Sequence, residues 1–236
     1  MMIKTKREIR ILKNSAAVAD ACIPVIEDAL KESITEKEIA RRIRKQLRAK
    51  GAHEAFRIIV ACGNRSSRIH PKPCATNKIV SGIGYVDFGA CYLGYRTDVT
   101  VPFIKGKIRR EEKKIVNITL QAYRLAIKSV KLGMPCWKVH EKVDSFLERR
   151  GFKLRHAIGH GIGRRVHEPP CIGMPRMHKK KRRWEKLKRI KFRPGMVFTI
   201  EPGVYVHGIG GCRIENVFLL GEHGLKQLTH AKLITV

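Results

Sequence analysis

Residues 31–51, KESITEKEIARRIRKQLRAKG, return one hundred residues later as 131–151, KLGMPCWKVHEKVDSFLERRG. Ile39, Ile43 and Leu47 align with Val139, Val143 and Leu147, and Gly51 aligns with Gly151. Apolar residues four apart share one face of a helix, so each copy reads as an amphipathic helix stopped by a glycine. Thr35 and Glu38 have the T-x-x-E spacing of a capping box, and Pro135 stands where the second helix should begin. Each copy follows another helical stretch, roughly 5–31 and 109–131, and Pro24 is expected to kink the first. Strand-like runs follow each pair: 56–62, 83–91 and 95–104 in the first half, and 156–162, 197–206, 212–220 and 225–235 in the second. Tyr92-Leu93-Gly94-Tyr95 reads as a hairpin turn. Helix, helix, strands, given twice, predicts an α+β fold of two similar halves, about 1–107 and 108–236, rather than a doubly wound α/β sheet. Two unrelated helical hairpins remain the alternative, because four-residue apolar matches also arise by chance.

Composition bounds what such a fold can do. The 236 residues are 43% apolar, enough for one sizeable core and too apolar for a disordered chain. With 50 Lys and Arg against 20 Asp and Glu, the formal charge is +30, which points to a polyanionic neighbour such as RNA or the ribosome. The strongest concentration runs from Arg176 to Arg193, with eleven Lys or Arg and one acid, Glu185. Trp184, Leu187 and Ile190 recur every three residues there, so the segment reads as a surface excursion with a short basic amphipathic helix. Contact with RNA or the ribosome is the expectation for it, against the alternative of a solvated charged loop. The N-terminus has no uninterrupted apolar stretch, and no run of about 18 apolar residues occurs, so neither a secretory signal nor a membrane span is expected. Seven cysteines without a C-x-x-C pair argue against a disulfide framework or structural zinc and for a cytoplasmic location.

With so few acids, their placement is informative. Asp87 in YVDFGA and Asp98 in YRTDVTVPF lie in strand-like runs on either side of the turn, so they can share a face of an antiparallel pair. Glu201 in TIEPG and Glu215 in CRIENVFLL repeat the situation. A carboxylate in an apolar strand is costly without a cation, and two together are costlier. His160 stands between Gly159 and Gly161, which would let backbone approach a ligand closely. Any one of these acids alone could simply pair with a Lys or Arg. Four of them with one imidazole suit a pair of divalent ions, Mn, Co, Fe or Zn, a known hydrolytic arrangement.

The ordered motifs DFGACYLGYRTD, GHGIGRRVHE, TIEPGVY and GGCRIEN resemble the pita-bread metallopeptidases: methionine aminopeptidases, aminopeptidase P and prolidases. The resemblance covers nearly the whole chain and implies the pita-bread fold, with two metals between pseudo-symmetric halves of paired helices on antiparallel sheet. Carried over, it makes Asp87 a ligand of one metal, Asp98 and Glu215 bridging ligands, and His160 and Glu201 the rest of the second metal's shell. Glu201 would also take the proton from the metal-bound water and pass it to the leaving amine. His167 would hydrogen-bond the substrate carbonyl or the tetrahedral intermediate, and His70 in RIHPKP matches a histidine at the substrate mouth.

Within that family, three features resemble the Xaa-Pro branch: IIVACGNRSSRIHPKP, the short gap from Glu201 to Glu215, and Arg213 two residues before Glu215. Strand alternation places Arg213 beside the carboxylates, either neutralising them or binding substrate. Xaa-Pro peptidases carry a separate N-terminal domain, whereas this sequence is expected to be a single catalytic domain over 1–236, as in short methionine aminopeptidases. The expected activity is a dinuclear peptidase acting on an N-terminal peptide bond, of Xaa-Pro type. Methionine aminopeptidase is the first alternative, and an inactive RNA- or ribosome-binding relative is the second.

Overall fold

The computed structural model describes residues 2–174 and 185–236, so the first part of the basic segment, including Trp184, lies outside the described residues. Among the described residues the main helices are α1 (Lys6–Asp20), α2 (Ile23–Lys31), α3 (Glu36–Ala49), α4 (Arg110–Ser129) and α5 (Trp137–Glu148). The stretch expected to be one kinked helix is two. The chain breaks at Ala21–Cys22, and Pro24 occupies the first turn of α2, where its missing N–H costs nothing. α1 opens on a complete capping box, in which Thr5 Oγ1 accepts from Glu8 N at 3.2 Å and the Glu8 carboxylate accepts from Thr5 N at 2.8 Å. At α3 only half the expected box forms: Thr35 Oγ1 accepts from Glu38 N at 3.2 Å, while the Glu38 carboxylate is taken by Arg41 and Arg42.

The repeat is structural. Ile39, Ile43, Leu47, Val139, Val143 and Leu147 are all fully buried, the first three in one hydrophobic cluster and the last three in another. α3 and α5 also stop in the same way: Gly51 and Gly151 take φ of 70° and 79°, and the carbonyls of Leu47 and Leu147 accept the N–H of Ala52 and Phe152, both at 3.0 Å. Only glycine adopts that left-handed conformation without strain, which closes each helix over its last apolar residue.

Under each helix pair lies a sheet. In the first, the order is Ile234–Thr235, Val99–Lys105, Gly82–Phe88, Ile59–Cys62. In the second it is Gly224–Gln227, Asn216–Gly221, Val197–Ile200, His160–Gly161, with Glu168–Cys171 added at the edge. The inner three strands correspond in order and antiparallel pairing, while the outer strand is parallel to its neighbour in the first sheet and antiparallel in the second, which makes the architecture two pseudo-symmetric α+β halves. The sheets meet at one antiparallel bridge, where Thr100 and Glu215 exchange both backbone hydrogen bonds at 3.3 and 3.1 Å.

The hairpin turn forms as expected, with Tyr92 opposite Tyr95 and positive φ at Leu93 and Gly94. Several expected strands are interrupted. The run 95–104 breaks between Arg96 and Val99, 197–206 between Ile200 and Gly203, and 212–220 between Arg213 and Asn216. The run 225–235 divides, because Gly224–Gln227 stays in the second sheet while Ile234–Thr235 crosses to the first, parallel to Phe103 and Ile104. The opposite end crosses the other way, Ile3 bridging Met196. The described end of the basic segment is also more than a surface excursion: Ile190 packs against the second core, and its carbonyl accepts the N–H of Cys136 at 2.9 Å. None of the seven cysteines forms a disulfide among the described residues, and no described helix is long and apolar enough to cross a membrane.

Candidate metal centre

Each strand interruption delivers an acid to the seam between the sheets. Asp98 immediately precedes Val99–Lys105, Glu201 immediately follows Val197–Ile200, and Glu215 immediately precedes Asn216–Gly221, while Asp87 is the penultimate residue of Gly82–Phe88. Asp87, Asp98 and Glu215 bring carboxylate oxygens within 4.8 Å of one another, and so do His160, Glu201 and Glu215 with one ligand atom each. Glu215 belongs to both groups, so the five residues form one continuous cluster, two from the first half and three from the second. A third grouping joins Asp98 and His160 to His167.

His160 is oriented to offer a lone pair. Its Nδ1 lies 3.1 Å from the Gly161 carbonyl, a contact that requires Nδ1 to carry the proton. Nε2 is then free and faces Asp98 Oδ2 at 3.5 Å and Glu201 Oε1 at 3.4 Å. The flanking glycines act differently from expectation. A Cβ on Gly159 would stand 2.1 Å from the Thr199 carbonyl, and one on Gly161 would stand 2.1 Å from that of Pro169. They admit neighbouring strands, not a ligand, against the backbone of His160.

The electrostatics call for a cation. Burial, then the nearby Asp87 and Glu201 charges, push the Asp98 carboxyl well above its ordinary range. Glu215 is raised well above by burial and then by Asp98 and Asp87. Glu201 is raised to about 8 by burial and then by Glu215. Asp87 Oδ1 and Glu215 Oε1 are buried without a hydrogen-bond partner. Orphaned, mutually repelling carboxylate oxygens beside an imidazole lone pair are the donor set that divalent ions satisfy.

Arg213 supplies the cluster's internal counter-charge. It is 1% exposed, and its guanidinium donates to Asp87 Oδ2, to Thr100 Oγ1 at 3.1 Å, to the Tyr205 hydroxyl at 2.7 Å and to the Ile69 carbonyl at 3.2 Å. Thr100 Oγ1 passes its own hydrogen on to Glu215 Oε2 at 2.8 Å. Two residues that the sequence reading passes over extend this network. The Tyr205 hydroxyl, already accepting from Arg213, lies 2.9 Å from His156 Nε2. His156 Nδ1 is 2.7 Å from its neighbour's carbonyl and therefore protonated, so Tyr205 donates to Nε2. Burial, then the Arg213 charge, hold His156 down to about 3, hence neutral. The spacing of His156 to His160, four residues within HAIGH, was its only sequence signal.

His70 and His167 line both cavities at the centre. The inner one, about 270 Å³, also contains all five candidate ligands, Phe56, Ile59 and Arg213. The outer one, about 420 Å³, adds His156, Pro169 and Leu187, the last from the described end of the basic segment. The His167 ring sits 4.2 Å from that of His160, and burial followed by the His160 charge lowers it to about 4.

The pattern of metallopeptidase family M24 matches residues 10–222. The chain belongs to metallopeptidase family M24. As an M24 chain it is 30% identical over 233 residues to a Xaa-Pro dipeptidase of Pyrococcus furiosus, covering 97% of this sequence and 63% of that relative. Among solved structures it superposes on a Xaa-Pro dipeptidase from Bacillus anthracis with TM-score 0.90 at 31% identity, covering all of this chain and 64% of that one. A prolidase from Pyrococcus horikoshii gives TM-score 0.89 at 29% identity, with 98% and 64% covered. The chain thus spans somewhat under two thirds of these relatives, and the shared fold is the pita-bread fold of the M24 peptidases.

The raised carboxyls set a pH dependence for the metal-free protein. An acid whose folded pKa exceeds its unfolded value keeps its proton longer in the native state, so stability falls as pH rises between the two values. Above pH 7 the lowered histidines are neutral in both states, leaving the raised acids, Glu201 at about 8 foremost, and the buried thiols of Cys22, Cys62, Cys136 and Cys212, pushed up to about 12, to lower stability together as pH rises. The metal-free protein is therefore expected to melt at a lower temperature at pH 9 than at pH 7, and added Mn should raise the melting temperature more at pH 9. Calorimetry with and without chelator measures both. A metal-free melting temperature that rises over this range would contradict the assignment.

Proposed function

We propose that residues 1–236 form a catalytic domain that hydrolyses the N-terminal peptide bond of substrates with proline in second position, using two divalent ions. The observation that carries this reading is the convergence of Asp87, Asp98, His160, Glu201 and Glu215 on one seam, with two carboxylate oxygens left unpartnered. Asp87 would hold one ion, Asp98 and Glu215 both, and His160 and Glu201 the second. Mn, Co, Fe and Zn all suit this donor set, and such ions supply Lewis acidity to a carbonyl and lower the pKa of water.

The protein's own groups divide the remaining work. Glu201 Oε1 faces His160, whereas Oε2 faces His156 Nδ1 at 3.8 Å. In this reading Glu201 would take a proton from the attacking water and return it to the leaving amine, with Oε2 as the oxygen turned away from His160. His167 and His70, which line both cavities, would donate to the scissile carbonyl as it becomes an oxyanion. Arg213, through Tyr205, keeps the neutral His156 ring fixed beside them.

Relatives named Xaa-Pro dipeptidase and prolidase support the proline preference. Assays of Met-Ala-Ser, Ala-Pro-Ala and Ala-Pro with Mn or Co test it. Cleavage of Ala-Pro-Ala is the expected result. Cleavage of Met-Ala-Ser alone would assign a methionine aminopeptidase instead. No cleavage, with no metal found by elemental analysis, would leave a binding protein on a peptidase fold.

A further inference from the structure

Beyond the outer cavity lies a third, of about 320 Å³, whose walls include Asn64, Arg65, Arg68, Ile69, Arg155 and His207. Ile69 also lines the outer cavity, which in turn shares His70, His160, His167 and Glu201 with the inner one. The outer cavity therefore adjoins both the inner one and the third. No carboxylate lines the third.

Its arginines are not equivalent. Arg65 is committed to the fully buried Glu36 carboxylate at 3.1 Å and to the Lys72 carbonyl at 2.5 Å. Arg68 and Arg155 form no ion pair among the described residues. Each also stands next to a histidine of the catalytic cleft: Arg155 directly precedes His156, and Arg68 precedes Ile69 and His70. Both segments present a histidine to the cleft wall and an arginine to the adjoining cavity.

The base of Arg68 is held firmly. The Tyr85 hydroxyl contacts the carbonyls of Arg68 and Ile69, and Arg213 donates to the latter. Asn64 Oδ1 accepts the Gly208 N–H at 3.0 Å, which leaves its amide N–H groups as further donors. Two exposed guanidinium groups outside any ion pair among the described residues, and an amide, around a cavity that no carboxylate lines, make a site for a carboxylate.

We propose that this cavity is an anion subsite that takes a carboxylate on the leaving side of an oligopeptide, so that the chain acts on peptides longer than the dipeptide. The inference rests on the peptidase reading for its substrate, but not for the existence of the site. The carboxylate has two sources, the C-terminus or an acidic side chain.

The test compares Ala-Pro-Ala-Ala as free acid and as C-terminal amide, and Ala-Pro-Ala-Glu-amide with Ala-Pro-Ala-Gln-amide, on the Mn-loaded protein. The free acid should have a KM about threefold or more below that of its amide, the order expected of exposed ion pairs acting together. In Arg68→Ala and Arg155→Ala that ratio should collapse towards one. A preference within the Glu and Gln pair alone would assign the side chain as the source. Equal KM values in both pairs, or ratios untouched by both variants, would overturn the proposal. Calorimetric binding of Pro-Ala-Ala and its amide keeps the two readings apart. Tighter binding of the acid, lost in the arginine variants, would support the subsite even if no peptide were cleaved.

Discussion

Glu201→Gln is expected to lose activity by at least about 10² to 10⁴-fold, the range that positioned acid–base groups contribute, while keeping its fold and much of its metal. The amide matches the carboxylate in size and retains a carbonyl oxygen towards His160, but it cannot accept a proton from water. Glu201→Ala removes the oxygen ligand as well, so it should lose both turnover and part of the bound metal. Comparing the two variants by steady-state kinetics and elemental analysis separates the proton-carrying role from the ligating one. A fully active Glu201→Gln would refute the first role, and an Ala variant with unchanged metal content would refute the second.

Arg213→Met should have the largest effect on stability. The guanidinium is buried against Asp87 and links Thr100, Tyr205 and the Ile69 carbonyl. Removing one partner of a buried ion pair leaves the other uncompensated, at a cost of about 3–5 kcal/mol, which for a chain of this size is on the order of 10 °C in melting temperature. Adding Mn should recover part of the loss, because the ions supply positive charge to the same carboxylates. Arg213→Lys should recover less than its charge implies, since an ammonium cannot reach four partners as the planar fork does. If the Met variant melted as the parent does and only KM rose, the residue would be a substrate contact instead.

The repeat and the acids were legible because both obey periodic or local rules. Leu47 and Leu147 announce themselves by spacing, and Gly51 and Gly151 by the conformation that they alone tolerate. Asp87, Asp98, Glu201 and Glu215 stand out as charges in apolar strands, and all four reach the seam. The strand breaks at Asp98, Glu201 and Glu215 were not legible, because the apolar pattern continues through them; at Glu215 the bridge to Thr100 of the other sheet takes over from the ladder. His156 and Tyr205 escaped for a related reason: their roles come from partners far away in sequence, Arg213 above all. Gly159 and Gly161 were misread because a glycine reveals that something comes close, without revealing what.

The crossing of the chain ends has a mechanical consequence. Ile234 and Thr235 complete the edge of the first sheet, and Ile3 fastens to Met196 in the second half. A cut between residues 107 and 108 would therefore not release two self-sufficient pieces, because the first would lack an edge supplied by the last residues of the other. The two halves that hold the carboxylates are thus laced together twice by the polypeptide itself. Prising them apart demands that both laces slip together, so the spacing of the acids is guarded by connectivity as well as by packing.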